Sequence, residues 1–201
     1  MKKLFALTLA LCLLASLALA EPKTVDCEAF TLTVEDNVPQ QMGEKAEQAT
    51  LLALYPCMQV DGDNGTTLTV SWSGQTEEIN AAFRLLSVMG ASEEVVKGFA
   101  QGFTTGISSG LEQVGIAVAN SEVSNFGFDK KAGKDTLSFT VRYDLDYSGF
   151  GSVFEGITAT LYQRYWVVPT DDGMYIFMAT STISQKIEQY CEPIMDTLAW
   201  K

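Results

Sequence analysis

Chemistry in this chain has to come from carboxylates, thiols, serines, lysines or tyrosines, because its 201 residues include no histidine. That absence removes Ser-His-Asp and Cys-His catalysis, imidazole zinc ligation and an imidazole pH switch. The acids best placed to act together are Asp144 and Asp146, which share one face of an alternating stretch, with Glu155 following; such a set suits the acid/base work of glycoside cleavage. Acids on the outer face of a strand are more often simply solvated, and that reading is preferred. Asp61, Asp63 and Asn64 open like a calcium loop. Position twelve counted from Asp61 is Trp72, however, where a bidentate glutamate is needed, so a hairpin turn is preferred to a weak calcium site. Gly149-Phe150-Gly151-Ser152-Val153-Phe154-Glu155-Gly156 has the glycine count of a phosphate cradle but no following Gly-Lys-Ser/Thr. It reads as a loop with two aromatic anchors that could cover an apolar pocket. No spacing singles out a serine–lysine dyad.

The thiols depend on where the chain resides. Met1-Lys2-Lys3 followed by the apolar run Leu4 to Leu17 and the small-residue pattern Ala18-Leu19-Ala20 reads as a secretory signal over residues 1–20, cut after Ala20. The run is too short and wrongly flanked for a transmembrane span. The expected mature product is one globular domain over 21–201, exported to the periplasm, cell envelope or medium. It keeps 11 basic residues against 25 acidic ones, a balance of −14. Such a charge argues against nucleic acid and anionic membrane as partners. Its one basic cluster, Lys130, Lys131 and Lys134, reads as a solvated hairpin tip. Export allows a disulfide to persist, and three cysteines remain: Cys27, Cys57 and Cys191. If the strand near 27–34 pairs antiparallel with that near 50–59, a centre near Met42 sets Cys27 opposite Cys57. The expected disulfide is therefore Cys27–Cys57, with Cys191 a buried thiol.

The elements that must carry these residues follow from hydrophobic period. Phe30 to Val34, Thr50 to Tyr55 and Leu68 to Trp72 read as strands. Thr76 and Ser92, each followed by two glutamates, start two helices. Leu137, Phe139, Val141, Tyr143, Leu145 and Tyr147 alternate cleanly with polar residues on one strand. Thr158 to Val168 and Met174 to Thr182 form two central strands covered on both sides, and a last helix runs from about Gln185 to Leu198. In the second helix, Gly98, Gly102, Gly106 and Gly110 recur every four residues. Glycine costs about 1 kcal/mol relative to alanine in a helix interior, so something should exploit the missing side chains. The preferred expectation is that this helix lies unusually close to its own sheet; the competing one is a flat groove for a partner.

The stretch Glu28-Ala29-Phe30-Thr31-Leu32-Thr33-Val34, the segment from Tyr162-Gln163-Arg164-Tyr165-Trp166 through Gly173-Met174-Tyr175-Ile176-Phe177, and the tail from Tyr190 to Trp200 together resemble the PsbP-like superfamily over most of residues 27 to 200. The resemblance implies an α+β fold, an α/β/α sandwich with a central antiparallel sheet. It also implies a binding module more than an enzyme, since members include extrinsic proteins of the photosynthetic oxygen-evolving complex, a nuclear-import cofactor and many exported bacterial proteins. It brings no catalytic residues and no cofactor. The expected function is an exported, non-catalytic module that binds a protein partner at the cell envelope. Alternatives are a carrier of a small apolar ligand, with a pocket lined by Phe99, Phe103, Phe150 and Phe154, and a carboxylate-dependent hydrolase.

Overall fold

Period-two alternation builds most of the molecule. The computed structural model describes residues 21–46, 49–58, 65–74, 77–89 and 92–201; the expected signal segment and the Asp61, Asp63 and Asn64 turn lie outside them. Seven strands form one antiparallel sheet in the order β3 (Gln40–Met42), β4 (Thr50–Cys57), β5 (Thr66–Ser73), β9 (Gly173–Ser181), β8 (Thr158–Thr170), β7 (Lys134–Asp146) and β6 (Ala117–Lys131). A second, three-stranded sheet joins β1 (Pro22–Cys27), β2 (Phe30–Glu35) and β10 (Ala199–Trp200). Helices α1 (Glu77–Met89) and α2 (Glu93–Gln113) lie between β5 and β6 in the chain.

The central strands are covered on both faces. From β8, Trp166 and Val168 belong to one core cluster while Tyr165 and Val167 belong to another. The first cluster sets Leu52, Leu54, Leu68, Val70 and Phe177 against the small sheet and the C-terminal helical segment. The second sets Leu137, Phe139, Val141, Tyr143 and Leu145 of β7 against Phe83 and Leu86 of α1 and Val95, Ile107 and Leu111 of α2. This is the expected α/β/α sandwich around an antiparallel sheet. The β6–β7 hairpin turns through Ala132 and Gly133, with φ of 50° and 84°. Two consecutive left-handed residues are what a tight two-residue hairpin requires, and glycine takes one at no steric cost.

Three departures from the sequence expectations have physical causes. The first strand pairs with a neighbour upstream, Cys27 opposite Phe30 across a turn at Glu28 and Ala29, while β4 pairs with β3 and β5 in the other sheet. Cys27 and Cys57 are therefore not opposite one another, and Cys27, Cys57 and Cys191 are all free thiols. Strand β6 breaks register between Val118 and Asn120 and between Ser124 and Gly127, which resets the alternation that would have announced it. The C-terminal helix is composite: turns at Ser184–Lys186 and Glu192–Asp196 flank a π turn at Ile187–Cys191. Pro193 stands in the first turn of the last segment, directly after the π turn.

Candidate functional site

Helix α2 is held from its start. Ser92 Oγ accepts from Val95 N–H at 3.4 Å, which satisfies one of the amides a helix start leaves open. At the far end the N–H groups of Gly115 and Ile116 donate to Glu112 and Leu111 carbonyls at 3.0 Å each. Its inner side presents Val95, Ile107 and Leu111 to the core, with Thr104 buried among them. The hydroxyls of Thr104 and Thr105 donate back to Gln101 O at 3.0 and 2.7 Å.

The four glycines are on the other side. Gly98, Gly102, Gly106 and Gly110 are all exposed, and a Cβ added at any of them would meet no described atom within 4 Å. The expectation that this helix presses its glycines onto its own sheet is overturned; the sheet side of α2 is taken by branched and threonine side chains instead. Exposed Gln101, Thr105 and Ser109 flank the stripe. The result is a helix surface on which the backbone lies within reach of an incoming chain, at a cost of about 1 kcal/mol per glycine that no contact among the described residues offsets.

The other sequence candidates come out differently. Asp144 accepts from Arg142 Nη2 at 2.8 Å and from Thr160 Oγ1 at 3.2 Å, and Asp146 Oδ1 accepts from Ser148 N–H at 2.8 Å. Both carboxylates are engaged in local structure, and Glu155 is exposed in the loop beyond. Phe150 and Phe154 meet edge to face at 5.9 Å, with Tyr147 stacked on Phe150 at 6.2 Å. They stand 51% and 41% exposed on short turns at Ser148–Phe150 and Ser152–Phe154. The side chains of Phe99 and Phe103 lie outside the described residues. Among the described residues no group of three or more His, Cys, Asp or Glu could hold a metal ion, and no helix is long and apolar enough to cross a membrane.

Two polar centres had no signal in the sequence. Arg164 lines a cleft of about 280 Å³ with Asn125, Thr140, Ser184, Glu188 and Glu192. Its guanidinium donates to Asn125 O at 2.6 Å and Ser138 Oγ at 3.2 Å, and Nε lies 3.8 Å from Glu192 Oε1. Burial lowers its pKa, partly offset by Glu192 and Glu188. Lys45 meets Asp172 Oδ2 at 2.5 Å and lies 4.9 Å over the Trp72 ring. The hydrogen bonds from Lys45 and Thr170 hold the Asp172 carboxyl at about 2. An arginine or lysine becomes recognisable as a centre only when distant strands bring its acceptors to it. A third cleft, of about 230 Å³, is mainly apolar and lies between the small sheet and the C-terminal helix, lined by Val34, Val38, Pro56, Tyr190, Pro193 and Ile194 among others.

An α/β/α sandwich of this order is a PsbP-like fold. It is similar to the solution structure of cyanobacterial PsbP from Synechocystis sp. PCC 6803, at 10% identity over 92% of this chain and 95% of that one, with a TM-score of 0.53. It is also similar to the Ran-binding protein Mog1p of Saccharomyces cerevisiae, at 8% identity over 90% of this chain and 96% of that one, with a TM-score of 0.50. No family model and no curated protein matches the sequence.

Proposed function

We propose that the chain is an exported, non-catalytic binding module that docks a protein partner on the glycine face of α2. The observation that carries this reading is the stripe of four exposed glycines with open space above each. Small residues at a helix surface let a second backbone approach closely, where packing and weak Cα–H contacts add up. The flanking Gln101, Thr105 and Ser109 supply side-chain donors and acceptors for that backbone. A protein partner is in keeping with the yeast structure of the same fold, which is a Ran-binding protein. Export is supported by the apolar leader and its small-residue end, and an envelope partner is the reading that goes with it.

The test is Gly102→Leu, made in the full chain and used as bait for envelope proteins of the source cell beside the unaltered chain. The variant is expected to melt at or slightly above the temperature of the unaltered chain and to lose the captured partner. Unfolding of the variant, or undiminished capture by a folded variant, would refute the reading.

A further inference from the structure

Two backbone irregularities direct two cysteines to one place. On β4, Leu54 faces Leu68 and Cys57 faces Thr66, so the strand carries one residue more than its partner between these pairs. That bulge turns Cys57 onto the face that carries Leu52, Leu54, Leu68 and Val70. Pro56, which has no N–H to give to a ladder, sits within it. From the facing layer the π turn, closed by Glu192 N–H on Ile187 O, sets Cys191 fully buried in the same cluster. Its Sγ lies 3.8 Å from the carbonyl of Thr67, the neighbour of the residue opposite Cys57.

Lys186 joins the pair. It immediately precedes the π turn and donates to Cys57 Sγ at 3.7 Å; the i to i+5 bonding of such a turn brings its two ends to one side of the helix. Burial first, then Glu192 and Cys57, push the Cys191 thiol up to about 12. Bulges and π turns recur where a backbone is bent to aim a functional side chain. Here one of each converges on two sulfurs.

We propose that Cys57 and Cys191 form a dithiol that closes to a disulfide by exchange with an external disulfide, fastening β4 to the C-terminal helix. Cys57 is half-buried and reachable. Its thiolate, beside the Lys186 ammonium, attacks one sulfur of the external disulfide; that S–S bond breaks, one thiolate leaves, and Cys57 holds a mixed disulfide. Cys191 loses its proton and attacks the Cys57 sulfur, expelling the second external thiolate. Two cysteine thiols have then lost two electrons and two protons, and the external disulfide has become two thiols. Cys27 stays outside this exchange: it is buried on β1, its thiol pushed up to about 11 by burial and by Asp26.

The experiment is treatment of the purified full chain with oxidised glutathione, then alkylation, proteolysis and mass spectrometry. The expected result is a cross-linked pair of peptides carrying Cys57 and Cys191, an intact mass lower by two hydrogens, and Cys27 alkylated. Cys191→Ala is expected to stop at a glutathione adduct on Cys57, and Lys186→Met to slow closure without changing the end point. A Cys27–Cys57 link, a lasting glutathione adduct on Cys57 of the unaltered chain, or no reaction of Cys57 would overturn the proposal. The mapping of the unaltered chain decides the matter even if a variant fails to fold.

Discussion

On one face of the seven-stranded sheet, the Phe30 ring meets Tyr175 at 5.8 Å, Phe177 at 5.2 Å and Trp200 at 5.8 Å. On the other face, α2 turns four bare glycines outward. The first face is covered by a layer held together where Thr33 N–H donates to Thr197 Oγ1 at 2.8 Å and Lys201 pairs with Asp26, and joined to the large sheet where Lys131 pairs with Asp196 at 2.6 Å. The second face keeps its inner side chains in the core and leaves its outer backbone uncovered. The difference teaches that this molecule places its stabilising contacts where the chain ends return to the sheet. The helical layer keeps its core contacts on its inner side alone among the described residues.

Breaking the closed face has the largest expected effect. Phe30→Ala removes a fully buried ring with three aromatic neighbours and should lower the unfolding free energy by about 4 kcal/mol, read from urea denaturation followed by tryptophan fluorescence. If Gly102→Ala destabilised as much, the contrast between the faces would be gone. Next is the thiol pair: closing Cys57 to Cys191 should add about 3 kcal/mol to the closed face, the usual net gain once native-state strain offsets part of the restriction on the unfolded chain. The urea midpoints of the oxidised and reduced forms check this, and an unchanged midpoint would mean the bond strains the fold as much as it restrains the unfolded state.

On the open face the sign reverses. Gly102→Ala should raise stability by up to about 1 kcal/mol, because alanine favours the helix and the added methyl meets nothing. A loss would reveal a contact there and place α2 with the closed face. The smallest effect belongs to Lys45 and Asp172, which are 33% and 50% exposed. The pair is worth less than about 1 kcal/mol after solvent screening. Asp172 is held at about 2, below its ordinary 3.8, so its contribution is present above about pH 4 and fades as pH falls toward 2. Acid titration of stability should therefore be shallower in Lys45→Met than in the unaltered chain.

What could be read from the amino acids was whatever a repeating period records. Strand β7 buries Leu137, Phe139, Val141, Tyr143 and Leu145 as its alternation requires. The C-terminal helix, expected from about Gln185 to Leu198, ends at Asp196 and buries Ile187, Cys191, Ile194 and Met195, with Leu198 buried just beyond it. Its π turn was not legible, since one wider turn leaves the same residues inward. Strand β3 is wholly exposed and so has no pattern to see, and β1 alternates only at Val25 and Cys27. The candidate site was half visible. The glycine repeat stands out, but a residue without a side chain carries no polarity to say which way it faces, and packing against the sheet was the natural but mistaken inference. The cysteine pairing failed for a related reason. Strand partners are chosen by layers the local pattern does not encode, and the bulge at Pro56 that turns Cys57 onto the face of Leu52 and Leu54 depends on β5 beside it.

Strand β6 has a consequence for the molecule in a crowd. Fifteen residues long and outermost in its sheet, it offers an unpaired row of amides and carbonyls, the usual template for fibrous stacking of one copy on another. Its two bulges interrupt that row, Asn125 kinks it at φ 52° with the carbonyl already taken by Arg164, and Lys130 and Lys131 stand at its end. These features hinder copies of this chain from extending the sheet in register through that edge.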